Sequence, residues 1–175
     1  FTESTPYAPN SPYSASKAAA DHLVRAYHET YHLPTLLTNC SNNYGPYQFP
    51  EKLIPFFVTT LLEGGKVPLY GDGLNVRDWL FVLDNCTGVQ TVLRDGKVGE
   101  VYNIGAGNEK TNREITDTIL AALGKDESSV EYVEDRKGHD RRYSIATDKS
   151  AALGWAPSRT FEQAIDDTIK WYVDH

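Results

Sequence analysis

Apolar residues recur at three- and four-residue spacing in four stretches of the chain, and each stripe predicts an amphipathic helix. Ala20, Leu23, Val24, Tyr27 and Tyr31 mark a first helix over 12–31, stopped by Leu33-Pro34. Ile54, Phe57, Val58, Leu61 and Leu62 mark a second over 51–62, with Gly64-Gly65 as its stop. Ile115, Ile119, Leu120 and Leu123 mark a third, opened by Thr111 with Glu114 three residues on, a capping box. Phe161, Ile165, Ile169 and Tyr172 mark the last, opened by Thr160 and Gln163. A further helix, capped by Asp84 or Asn85, is predicted to about Arg94.

Between these helices the pattern is that of strands. Thr35 to Cys40 predicts a buried strand and Ser41 to Pro46 the loop leaving its C-terminal end. Val67 to Tyr70 and Val76 to Val82 read as strands around the turn Gly71-Asp72-Gly73, with shorter strands at Glu100–Ile104 and Val130–Val133. A helix leading directly into a buried strand is half of a parallel-sheet unit. Ligands in open sheets of that kind lie beyond the strand C-termini, where Asn42 and Asn43 fall. The predicted fold is α/β: residues 1–45 as the tail of a doubly wound parallel sheet, and 46–175 as a smaller α+β domain. Some segments, notably Trp79–Leu83 with the helix after it, are expected to return to the larger sheet.

Composition narrows the function classes. At 175 residues, 40% hydrophobic and 23% charged, the chain has the make-up of a soluble globular protein with a real core. No apolar run approaches bilayer length and no signal segment opens the chain, so the cytosol is the expected compartment, with no membrane partner. A net charge of −7 argues against a nucleic-acid partner while leaving room for a local anion site. Two cysteines, Cys40 and Cys86, are too few for a disulfide framework or a zinc cluster, so no metal is expected and both are predicted to be small core residues. The absence of methionine and the opening Phe1-Thr2-Glu3 predict a fragment of a longer polypeptide.

Chemistry concentrates in a few stretches. In Tyr13-Ser14-Ala15-Ser16-Lys17 the tyrosine and lysine are one turn apart on one helix face, in the opening turns set by Ser11 or Asn10 as cap and Pro12 at the first position. A phenol has a reference pKa near 10, and a fixed ammonium nearby favours phenolate. Arg77 is a cation inside a strand-like run and must find a partner, either a phosphate held bidentately or a carboxylate such as Asp78. Arg136-Lys137-Gly138-His139-Asp140-Arg141-Arg142 gathers four cations and a histidine in an acidic chain, either an anion site or a solvated loop. Tyr70 can offer a ring for stacking on a base or can be core. Glu51-Lys52-Leu53 opens a helix whose free amides suit an anion, or is simply a charged helix end.

Taken together, Pro12 to Lys17, Asn39-Cys40-Ser41-Asn42-Asn43-Tyr44-Gly45-Pro46, Pro50 to Pro55, Arg77-Asp78-Trp79, Tyr102 to Gly105, Asn108-Glu109-Lys110 with Asn112, and Asp135-Arg136 with Gly138 to Tyr143 resemble the dTDP-glucose 4,6-dehydratases. That family belongs to the extended short-chain dehydrogenase/reductase superfamily, and the resemblance covers essentially the whole chain.

The resemblance implies a Rossmann-type sheet, NAD as cofactor and a dTDP-sugar as substrate. Tyr13 would be the base that starts oxidation at sugar C4, and Lys17 would favour its ionised form and hold the nicotinamide ribose. Cys40, Ser41 and Asn42 would lie by the cofactor, Asn42 reaching the sugar diphosphate as well. Glu51, Lys52, Leu53, Pro68 and Tyr70 would hold the nucleotide, with Tyr70 against thymine. Arg77 and Arg136 would pair with the diphosphate, Asn112 with the nucleotide end, and His139 would stand beside them. The implied reaction is an internal redox cycle: oxidation at C4, loss of water across C5 and C6, and return of the hydride to C6, giving a 4-keto-6-deoxy sugar.

Two features of that family, a Gly-x-x-Gly-x-x-Gly dinucleotide loop and the Asp–Glu pair used for elimination, precede its Tyr-x-x-x-Lys and are absent here. The chain alone is therefore expected to be inactive. The neighbouring possibilities are a 4-epimerase or decarboxylase of the same superfamily, or a non-catalytic nucleotide-sugar-binding module. Large side chains on several faces of the first helix, among them His22, Arg25, Tyr27, His28 and Tyr31, suggest cover on two sides. Since family members pair through this helix, the resemblance implies a homodimer.

Overall fold

The computed structural model describes residues 1–175. Ser11 is extended and accepts the Ser14 amide, and Pro12 takes the first helical position, so α1 runs Pro12–Tyr31 as the cap and the proline dictate. It ends at His32, which turns left-handed (φ 55°) and gives its amide to the His28 carbonyl. The chain then enters β1 (Leu37–Cys40) and, one residue on, β2 (Asn42–Tyr44). After α2 (Leu53–Leu62) come β3 (Val67–Tyr70), β4 (Val76–Phe81) and α3 (Val82–Asp95). The second half adds β5 (Val101–Ile104), β6 (Glu109–Thr111), α4 (Asn112–Ala122), a 3-10 turn at Glu127–Ser129, β7 (Val130–Val133), β8 (Arg142–Tyr143), α5 (Asp148–Ala151) and α6 (Phe161–Asp174).

Pairing is mostly parallel and mostly distant in sequence. β1 pairs with β5, β3 with β7, and β4 with β2 and β8, all parallel, while β6 runs antiparallel to β4. Both capping boxes form as expected, at Thr111/Glu114 and Thr160/Gln163.

β4 sits between two cores because successive strand side chains point to opposite faces. Trp79 and Phe81 join the large cluster with Tyr44, Phe57, Ile115 and Ile165, beneath α2, α4 and α6. Leu80 turns the other way, into the small cluster of Val92, Tyr102, Ile104 and Trp155. Burying a side chain of this kind is worth about 1.5–3 kcal/mol, so the larger cluster holds most of the apolar stabilisation.

Several expectations need correction. Residues 42–44, expected as loop, form β2 because β4 offers an edge to pair with. β6, β8 and α5 were not predicted; the two strands have little pattern of their own and exist through β4. α3 starts at Val82, without a side-chain cap, because Asp84 is committed elsewhere: its carboxylate accepts the Ser158 amide at 2.9 Å and hydroxyl at 2.6 Å. Trp79–Phe81 pairs with β2, which lies within residues 1–45, and α3 packs on β1 and β5, while β1 itself pairs with β5. β1 is half-buried rather than buried, and Cys40 and Cys86 are exposed rather than core. No residue of α1 is buried, and Leu23, Tyr27 and Tyr31 are all exposed, so its apolar stripe meets no partner within this chain.

Candidate functional site

The first group of candidates stands at the start of α1. Tyr13 and Lys17 are both exposed, Tyr13 to 75%, and the first-turn geometry set by Ser11 puts them on one face. At the C-terminal end of β1, Cys40 and Asn42 are exposed while Ser41 between them is buried. The Ser41 amide donates to the Ile104 carbonyl at 3.0 Å, which fixes the crossover from β1 to β2. Its hydroxyl has no hydrogen-bond partner, and a buried polar atom left so costs about 1–3 kcal/mol. An orphaned donor just past the C-terminal end of β1, in a sheet of this type, fits the polar edge of a dinucleotide.

The second group gathers around the ends of β3 and β4. Strand alternation buries Val67 and Leu69 and leaves Pro68 and Tyr70 half-buried on the other face, so the Tyr70 ring stands outside the core. Arg136 lies over that ring, its guanidinium carbon 5.1 Å from the centroid. Arg136 Nη2 is 3.0 Å from His139 Nε2, and His139 Nδ1 is 2.6 Å from an Asp135 carboxylate oxygen.

Arg77, half-buried on β4, donates to its neighbour's carbonyl, Val76, at 2.7 Å and has no ion pair. Burial pulls its guanidinium below the ordinary value, an effect that the Arg136 charge reinforces and Asp140 and Asp135 oppose. Asp78 is not its partner. On the opposite strand face, that fully buried carboxylate accepts the amides of Ala106 at 3.1 Å and Asn108 at 2.8 Å.

The basic loop is thereby sorted. Arg141 is held by Asp72 (2.8 and 3.0 Å) and Arg142 by Glu109 (2.7 Å to each oxygen), so neither is available to a ligand at full charge. Arg136 and Arg77 are the guanidiniums without a carboxylate. Asn75, which the sequence reading missed, anchors the loop: its Nδ2 donates to the Asp140 carbonyl at 3.2 Å, and its Oδ1 is buried without a partner. Its backbone carbonyl accepts the Asn112 amide at 3.0 Å, which brings buried Asn112, the first residue of α4, to the same loop.

Glu51, Lys52 and Leu53 lie at the start of α2, where Lys52 is the cap residue and no side chain caps the helix. No side-chain hydrogen bond ties these three to the Arg77–Arg136 cluster. The loop itself touches the approach to α1: a Cβ on Gly138 would sit 4.0 Å from the Asn10 carbonyl oxygen. Glu3 accepts the Asn103 amide at 3.0 Å and so serves the N-terminal segment. The adjacent pair Asp126-Glu127 is structural too, capping the 3-10 turn and pairing with Arg113. A groove between α4 and α6, lined by Glu114, Asp117, Phe161 and Asp166, contains none of the candidate residues.

Comparison with known proteins places the chain among relatives of known fold. The family model described as GDP-mannose 4,6 dehydratase matches residues 1–168. A curated dTDP-glucose 4,6-dehydratase of Xanthomonas campestris pv. campestris is 58% identical, the match covering 99% of this chain and 52% of that protein. The chain thus spans about half the length of the curated relatives it matches. A crystal structure of dTDP-glucose 4,6-dehydratase from Bacillus anthracis in complex with NAD superposes with a TM-score of 0.95 at 58% identity, over 100% of this chain and 56% of that one. UDP-glucose 4-epimerase from Thermotoga maritima gives a TM-score of 0.92 at 27% identity, over 99% and 57%.

Fold and site together define the class of Rossmann-type short-chain dehydrogenase/reductase proteins, in which dehydratases and epimerases share one scaffold. Within that class the chain belongs to the GDP-mannose 4,6 dehydratase family.

Proposed function

We propose that the full-length protein dehydrates dTDP-glucose to dTDP-4-keto-6-deoxyglucose with NAD, acting as a lyase. The observation that carries this reading is the pair of guanidiniums of Arg77 and Arg136, neither bound to a carboxylate, with Arg136 lying over the half-buried ring of Tyr70. Two unneutralised cations, one of them against an aromatic face, suit a nucleoside diphosphate: bidentate contacts to the phosphates, a stacking surface for the base. The 58% identity to dTDP-glucose 4,6-dehydratases supports thymidine as the nucleoside over the guanosine in the family's description.

In this reading Tyr13 removes the C4 hydroxyl proton, Lys17 holds the ribose of the cofactor, and Cys40, Ser41 and Asn42 line its nicotinamide end. Bound NAD supplies the acceptor of the C4 hydride and its donor on return to C6. Lys52 and the open start of α2 face the diphosphate, with Glu51 and Leu53 beside it. Pro68, Tyr70, Asn112 and His139 complete the nucleotide pocket. Residues 1–45 form the cofactor side and 46–175 the nucleotide-sugar side, with β5 returning to β1. The exposed stripe of α1 pairs with a second copy.

The test is the product. Full-length protein given dTDP-glucose and NAD is expected to yield a 4-keto-6-deoxy sugar, lighter by one water in mass spectrometry. A C4 epimer of unchanged mass would instead favour the epimerase reading, which the 0.92 TM-score to UDP-glucose 4-epimerase makes the natural competitor. No turnover with intact nucleotide binding points to a binding module. In the same protein, Arg77→Ala is expected to weaken thymidine diphosphate binding by about 1.5–3 kcal/mol, the scale of a hydrogen bond to a charged group, measured by calorimetry. Unchanged affinity assigns Arg77 to β4 alone.

A further inference from the structure

The pairing of β3 with β7 puts Tyr70 opposite Val133, so the residues just after each strand emerge side by side. Gly71 follows Tyr70 in the left-handed region (φ 56°), and a Cβ there would come within 3.2 Å of the Asp135 side chain. Asp135 is therefore seated against the Tyr70 turn. One of its oxygens takes two donors: the Arg136 amide at 2.8 Å and His139 Nδ1 at 2.6 Å. The His139 side chain is only 6% exposed, so water does not compete for the ring.

The proton positions follow from what each group can do. A guanidinium has donors and no acceptor, so the 3.0 Å contact between Arg136 Nη2 and His139 Nε2 requires Nε2 to be the unprotonated nitrogen. The ring proton is then on Nδ1, where it points at Asp135. Asp135 selects the tautomer, the tautomer leaves Nε2 free to accept, and Nε2 holds Arg136 over the Tyr70 ring. His139 bonding to the Asp135 carboxylate holds that carboxyl below its usual range, which keeps the acceptor charged.

We infer that Asp135 is a positioning residue, acting through the His139 tautomer to fix the Arg136 guanidinium over Tyr70 in the orientation that receives the nucleotide's diphosphate. The inference rests on the nucleotide-sugar reading for its ligand but not for its chain of hydrogen bonds. A cation that is already oriented loses less side-chain entropy on binding.

The experiment pairs a spectroscopic readout with a binding one, on full-length protein labelled with nitrogen-15 at histidine. His139 is assigned by the signal lost in His139→Gln. The unaltered protein is expected to show His139 with the proton on Nδ1. In Asp135→Ala the proton is free to move to Nε2, and affinity for thymidine diphosphate is expected to fall by about five- to tenfold, the scale of one ordinary hydrogen bond. In Asp135→Asn the side-chain carbonyl still accepts from Nδ1, so the tautomer and most of the affinity return. The inference is overturned if Asp135→Ala keeps both the tautomer and the affinity, or if Asp135→Asn loses as much as alanine does. Should the unaltered protein show the Nδ1 tautomer yet bind no thymidine diphosphate, the nucleotide reading falls, and the relay stands or falls on the tautomer change alone.

Discussion

Tyr13→Phe in the full-length protein is expected to lower turnover of dTDP-glucose by about 10²- to 10⁴-fold, the contribution of a positioned proton acceptor, while thymidine diphosphate affinity stays unchanged. The structure makes this a clean substitution. The ring is 75% exposed in the first turn of α1, so deleting its hydroxyl opens no cavity in the core. The cap that starts the helix is made by Ser11 with the Ser14 amide and is untouched. Melting temperature should therefore match the parent, and the loss should appear in kcat. Steady-state kinetics and calorimetry on the same preparation separate the outcomes: wild-type turnover removes Tyr13 from the chemistry, and a parallel loss of nucleotide affinity would make it a binding residue.

Asp78→Ala is expected to cost stability rather than chemistry, about 3–5 kcal/mol in denaturant unfolding of the same protein. The carboxylate is fully buried and takes two backbone amides, those of Ala106 and Asn108. Alanine leaves both amides without their buried acceptor. Gly105 shows how closely the loop is drawn in, since a Cβ there would come 2.6 Å from the Asp78 carboxylate. Asp78→Asn should recover only part of the loss, because an amide offers one acceptor oxygen where two amides ask for one each. A loss under about 1 kcal/mol would show that the loop from 105 to 108 finds other partners.

The two substitutions also divide neighbouring residues by strand face. Arg77 and Asp78 are adjacent in sequence, and the sequence offered them to each other as an ion pair. Alternation along β4 sends them to opposite sides, Asp78 to the 105–108 loop and Arg77 toward the face shared with Trp79. The pairing that a reader of residues 77 and 78 would first suggest is the one that a strand forbids. Tyr70 is the converse case: its period-two position after Val67 and Leu69 was enough to place it outside the core once the strand was real.

What the residues determined unaided was local. The caps at Ser11, Thr111 and Thr160, the proline at the head of α1, the four helical stripes and the Tyr13–Lys17 spacing all depend on neighbours within four positions, and they formed as read. The motif order also carried the family, since a series of residue types at fixed spacing is legible without coordinates. The tertiary structure decided what depends on residues far apart. Arg141 meets Asp72, Arg142 meets Glu109, and only then are Arg136 and Arg77 the guanidiniums left without a carboxylate. β2, β6 and β8 have too few residues to signal themselves and exist because β4 presents edges to them. An ion pair or a ladder bond between distant residues is set by topology, and a stripe is buried only where topology brings something to cover it. The stripe on α1, unambiguous in sequence and bare in this chain, shows that limit on the helix that carries Tyr13 and Lys17.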